Sequence, residues 1–169
     1  MLIAQIMCDA DLRIRNLVTR WYGSAHDARI FNESALRTFS ESLPTENYLL
    51  GDSGYGCSSG LLTPFLHPAN NAEEAYNNSH RRARNTIERC IGVWKRRFTV
   101  LKTGLRVKLE RCPAIINATA VLHNIALSHT EELDGTSEPE EVEEDNGTRI
   151  ASHRGSAIRN LVVTNYFSG

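Results

Sequence analysis

The sequence has no apolar run approaching the roughly 18 residues needed to cross a bilayer, so membrane-spanning helices are not expected. It also lacks paired cysteines. Cys8, Cys57, Cys90 and Cys112 are widely spaced and form no C-x-x-C pair. Neither a zinc site nor a disulfide framework is therefore expected, and the thiols read as reduced. No basic leader precedes the apolar residues 2–8 and no clear small-residue cleavage site follows them, which argues against a signal peptide. Internal repeats are missing as well. Net charge is almost absent, with 19 Lys and Arg against 20 Asp and Glu, but that balance hides a segregation. From Arg81 to Arg111 there are eleven Lys/Arg and two acids, whereas residues 131–145 carry nine acids and no base. A basic block of this kind points to polyanion binding, and the acidic block to a flexible segment.

The 169 residues, 41% of them hydrophobic, suffice for one domain of ordinary size with a tail. Residues 2–8 read as a mostly apolar, buried strand that starts abruptly at the first residues. Asp9-Ala10-Asp11 reads as a tight turn, and residues 12–19 as the return strand of a hairpin. After the loop WYGSAHD, Ser24 and Asp27 resemble a capping box. Ala28, Phe31, Ala35 and Phe39 then fall at helical spacing, with an end expected before Pro44. NYLLG at 47–51 has a buried-strand pattern ending at Asp52, and the Gly/Ser-rich SGYGCSSG must be a loop. A long helix is expected from about Asn70, capped by Asn70 and Glu73, with an apolar stripe through Tyr76, Ala83, Ile87, Ile91, Trp94 and Phe98. A second helix, 113–128, starts at a proline and is apolar on most sides, which predicts burial. The organisation is thus a folded domain over 1–130, an acidic flexible linker over 131–149, and a C-terminal tail over 150–169 holding a short packed element. Strands alternating with helices make this an α/β chain, in which sites form at the carboxyl ends of strands.

Two acids stand out. Asp52 ends a strand and precedes a glycine-rich turn, a rigid mount that lets a phosphate come close; an Asp after a strand also commonly caps a turn. Glu88 lies on the long helix one turn from Arg84, Asn85 and Gly92, at the border between its apolar stripe and its basic face. The plain alternative for Glu88 is a surface ion pair with Arg84 or Arg81. Gly92, costing about 1 kcal/mol in a helix, suggests packing or access there. Arg81, Arg82, Arg84, Arg89, Lys95, Arg96 and Arg97 are candidates for phosphate contact, or else a solvated face. Asp9 and Asp11 read as turn residues, His123 and Asn124 as satisfied core groups, and Tyr55, Tyr76 and Trp94 as packing residues. His67, His80 and His129 show no metal spacing.

Thirty-five residues lie between Asp52 and Glu88, the interval between the second and third acids of many DDE transposases and integrases. The strings GSAHDARIFNESALR, LLGDSGYG, LLTPF, YNNSHRRARNTIERCIGVWKRRF and VLHNIAL resemble, in order, the linked motifs of Harbinger-type DDE transposases and their domesticated nuclease relatives. The resemblance covers roughly residues 2–128. It implies an RNase H-like core, a divalent-metal nuclease site using Mg²⁺ or Mn²⁺, DNA as substrate, and a setting in the nucleus, with the cytoplasm as the other compartment. A partner protein supplying DNA specificity is a further expectation. Carried onto this sequence, the second acid is Asp52 and the third is Glu88, and His26 and Asp27 match a motif pair near the site, where Asp27 could equally cap a helix.

The chemistry explains the residue types. Phosphodiester cleavage needs an activated water and a stabilised leaving oxygen, and metal ions held by carboxylates provide both. The family's first acid lies on a strand upstream of the one that begins here at residue 2. The sequence therefore reads as an N-terminally truncated core that lacks its first strand. Two carboxylates hold metal more weakly than three. Weak or absent cleavage by these residues alone is the expectation, and a non-enzymatic remnant that binds DNA or a protein is the competing reading.

Overall fold

An apolar segment and an aspartate-rich turn open the chain and form the expected hairpin, but the first strand is less buried than expected: of its described side chains Gln5 alone is buried. In the computed structural model, residues 2–22, 27–44, 46–129 and 152–168 are described. Leu2–Cys8 (β1) pairs antiparallel with Ile14–Tyr22 (β2), in a register running from Leu2 opposite Tyr22 to Cys8 opposite Ile14. The turn is held by Asp9, whose Oδ1 accepts the N–H groups of Asp11 and Arg13, both at 3.0 Å. Asp9 Oδ2 also pairs with Arg15 at 2.6 Å, so Asp9 is a turn residue, as expected. Leu12 closes the turn with φ 61°, a left-handed conformation that costs a non-glycine residue roughly 1–2 kcal/mol. Its carbonyl compensates by accepting from His123 Nε2 at 3.0 Å and from the Cys90 thiol at 3.2 Å.

Asp27–Asn32 (α1) and Ala35–Glu41 (α2) replace the single helix expected there. The break comes at Ser34, whose extended backbone (φ −100°, ψ 155°) resets the phase. The buried positions are consequently Ile30, Phe31, Ser34, Leu36 and Ser40, while Phe39 is 46% exposed and Ala35 is also exposed. The helix still stops before Pro44. Leu49–Leu50 (β3) and Leu61–Leu62 (β4) form a short parallel pair. β3 is shorter and wetter than its apolar sequence suggests, with Leu50 42% exposed; the buried partner is β4.

Asn71–Arg97 (α3) is the long helix. Its start is the expected cap: Asn70 Oδ1 accepts the Glu73 N–H at 2.9 Å, and Glu73 reaches back to the Ala69 N–H at 2.8 Å. The buried stripe differs from the expected one at Ala83, which is exposed. His80 and Cys90 are buried along with Tyr76 and Trp94, so a polar ring takes part in the core face. Val100–Thr103 (α4) and a single 3-10 turn at Leu109–Arg111 lead to Cys112–His129 (α5). Burial of α5 is one-sided: Thr119, Ala120 and His123 are buried, while Val121, Leu122 and Ile125 are 59%, 51% and 49% exposed. Its apolar sequence alone had predicted burial all round. His153–Phe167 forms α6; the expected linker, 131–149, lies outside the described residues. No helix among the described residues is long and apolar enough to cross a membrane.

The described residues thus form a mixed α/β structure with two two-stranded sheets, divided between two compact units. One unit, 1–25 with 85–141, packs α5 on the hairpin around Ile14, Cys90, Trp94 and Ala120. Asn124 fixes this packing by bonding both backbone groups of Ile14, accepting from its N–H at 2.9 Å and donating to its carbonyl at 2.8 Å. The other unit, 26–84 with 142–169, builds its core from Ile30, Phe31, Leu61, Leu62, Tyr76 and Val163.

Candidate functional site

Asp52 lies two residues beyond β3, after Gly51, and its two oxygens have different partners. Oδ1 accepts the Gly54 N–H at 2.9 Å, the side-chain turn that an Asp after a strand favours. Oδ2 faces Arg84 Nη2 at 3.7 Å, with the two side chains 34% and 21% exposed. The turn-capping and charged readings of Asp52 therefore coexist on one carboxylate.

The loop that carries Asp52 is braced on several sides. Gly51 N–H donates to the Leu62 carbonyl and Leu49 N–H to the Gly60 carbonyl, both at 2.9 Å. A Cβ on Gly60 would lie 2.1 Å from the Ser40 carbonyl oxygen, and one on Gly155 would lie 2.4 Å from that of Cys57; only glycine allows either backbone approach. Ser152 N–H donates to Cys57 O at 3.0 Å. Arg159 Nη1 donates to the carbonyls of Thr63 and Pro64 at 3.3 and 3.0 Å, and its guanidinium stacks 3.8 Å over the Phe65 ring. The sequence reading missed these α6 contacts. A glycine in the first turn of a helix was the one available signal of close approach.

Beneath the loop, His80 is buried and its Nε2 bonds the Leu62 carbonyl at 3.2 Å. Burial holds its pKa below the ordinary histidine range, with Arg84 adding to the depression and the Leu62 bond and Asp52 opposing it. Tyr76 donates to Thr63 O at 3.2 Å and packs edge-on against Phe65 and Phe167. Tyr55 meets Phe31 edge-on. These rings and Trp94, 4% exposed, are packing residues, as expected.

Glu88 is half-buried on the part of α3 that belongs to the other unit. Among the described residues, no three His, Cys, Asp or Glu side chains form a group that could hold a metal ion. His26 and the side chain of Asp27 lie outside the described residues. Of the basic candidates, Arg81, Arg82, Arg89 and Arg96 are exposed, and Lys95 is half-buried. Arg82, Arg89 and Arg96 are seven residues apart and share one face of α3. Arg97 differs from them: its Nη1 donates to His123 Nδ1 at 3.1 Å and to the His123 carbonyl at 3.2 Å. Because arginine only donates, His123 has a bare Nδ1 and a proton on Nε2. Burial holds the His123 pKa below its ordinary value, against the Leu12 bond, and the Arg97 charge adds to the depression. His123 and Asn124 are thus satisfied core groups.

Residues 2–124 match the family described as DDE superfamily endonuclease. "Putative nuclease HARBI1" of Mus musculus is 37% identical over 128 residues, which are 73% of this chain and 37% of that protein. Its Homo sapiens counterpart is 33% identical over the same coverage. "Protein ALP1-like" of Arabidopsis thaliana is 26% identical over 139 residues, 73% of this chain and 34% of that protein. The chain therefore spans little more than a third of the length of these relatives. No solved structure matches it significantly. With a family match that contains both the Asp52 and the Glu88 motifs, the chain belongs to the DDE superfamily endonucleases, in their Harbinger-type branch.

Proposed function

We propose that this chain carries part of a divalent-metal-dependent DNA endonuclease of RNase H-like architecture, with Asp52 and Glu88 as two of its metal-binding acids. The reading is carried by the family match over residues 2–124, which spans LGDSGYG around Asp52 and RNTIERC around Glu88. The donor chemistry at Asp52 fits. Its Oδ2 is a hard carboxylate oxygen outside the Gly54 turn, on a side chain 34% exposed. Mg²⁺ typically takes one or two protein carboxylates and completes its shell with water and phosphate oxygens. When bound, such an ion would supply an activated water and stabilise the leaving oxygen.

The protein's own residues supply the rest. The β3–β4 pair and α6 fix the Asp52 loop, and the exposed arginines of α3 hold the DNA backbone by neutralising phosphates. A partner protein adds DNA sequence specificity, and the nucleus is the site of action. Nicking of supercoiled plasmid tests the reading: Mg²⁺-dependent conversion is expected, abolished in Asp52→Ala and in Glu88→Ala. Conversion that survives chelation of the metal, or that persists in both variants, overturns it.

A further inference from the structure

One carboxylate oxygen of Asp52 already has a cation beside it. Oδ1 is committed to Gly54, so Oδ2 is the oxygen open to a ligand, and Oδ2 is the one that Arg84 faces at 3.7 Å. That separation is well beyond the roughly 2.7–2.9 Å of a closed charge-assisted hydrogen bond. Arg84 neutralises the carboxylate without being locked to it. Its backbone cannot drift away, because His80, one turn earlier on α3, is buried and bonded to Leu62 of β4, and Tyr76, one turn earlier again, is bonded to Thr63. The helix is anchored, so a change in the Arg84–Asp52 separation would have to come from the side chains.

We propose that Arg84 is a built-in counter-ion that competes with the divalent cation for Asp52 Oδ2 and holds metal affinity down until a phosphate draws the guanidinium away. This rests on the metal-site reading of Asp52. By linkage, whatever factor the phosphate contributes to metal affinity, the metal contributes equally to phosphate affinity. Metal loading is thereby tied to the presence of a nucleic-acid backbone, because one side chain serves both anions in turn.

Titration with Mn²⁺ alone, followed by electron paramagnetic resonance of the free ion, tests this on residues 1–169. Removing a unit positive charge about 4 Å from the ligand oxygen should tighten Mn²⁺ binding about tenfold in Arg84→Gln. Arg84→Lys, which keeps the charge, should stay near the parent protein. Arg84→Met, which keeps the aliphatic stem, gives the same reading should the Gln variant fold poorly by circular dichroism. Asp52→Asn separates the two layers of the argument. Unchanged Mn²⁺ binding in Asp52→Asn overturns the metal-site reading itself. Binding lost in Asp52→Asn but unchanged or weakened in the folded Arg84 neutral variant overturns only the counter-ion proposal.

Discussion

Arg82, Arg89 and Arg96 offer the clearest quantitative test of DNA contact. They are exposed, and seven-residue steps on α3 place them about 10.5 Å apart along a single face. If each neutralises one phosphate, each adds about 0.9 to the slope of log affinity against log salt on duplex DNA. Three contacts give a slope contribution of about 2.7, so raising salt from about 50 to 200 mM should cost the parent protein about 40-fold more affinity than the triple Gln variant. Anisotropy of a labelled duplex across that salt range measures both slopes. Arg97→Gln is the internal control. Its guanidinium is bonded to His123, so that variant should lower the melting temperature and leave the slope nearly unchanged. Equal slopes for the parent and the triple variant would refute phosphate contact by this face and leave it as a solvated surface.

Two further outcomes concern the core. Asn124→Ala leaves the N–H and carbonyl of buried Ile14 without their partners, a loss of about 2–4 kcal/mol; a thermal midpoint within a degree of the parent would show that the pair contributes little. His123 has a lowered folded pKa, so the unfolded chain takes up its proton first as pH falls. The stability it supports is complete above the unfolded value of about 6.5 and is lost as pH drops below that toward the folded value. Melting should therefore come earlier at about pH 5.5 than at about pH 7.5, and the difference should shrink in His123→Gln; an undiminished difference would assign the effect to other groups.

Much of the local structure was legible because local rules governed it. The Asp9 turn, the Asn70–Glu73 cap and the span of α5 follow from side chains bonding to nearby backbone or from periodicity. The departures arose where long-range packing decided. Nothing in ALRTF shows that Ser34 will adopt an extended backbone, so the buried face of residues 27–41 shifted from Phe39 to Leu36 and Ser40. α5 is apolar around most of its circumference, but the hairpin covers one side, which leaves Val121, Leu122 and Ile125 exposed. At the site, sequence motifs singled out Asp52 and Glu88 as chemistry. They could not show that Asp52 gives one oxygen to Gly54 and the other to Arg84, because the second contact bridges segments far apart in the chain.

The bracing of the Asp52 loop bears on how this site tolerates change. β3 and β4 are two residues each, too short to fix a carboxylate by ladder bonds alone. The remaining rigidity comes from backbone packed on backbone at Gly60 and Gly155, and from Ser152 and Arg159 bonding the carbonyls of Cys57, Thr63 and Pro64. Ser152, Gly155 and Arg159 all lie beyond residue 124, where the family match ends. In this chain, then, the geometry of a family residue is secured partly by a helix outside the matched span. In the metal-binding role proposed for Asp52, a displacement of even about 1 Å would cost much of the ligand's value. The α6 segment should accordingly be treated as part of the site's support, and variants such as Gly155→Leu should disturb Asp52 before they disturb the hairpin core of the other unit.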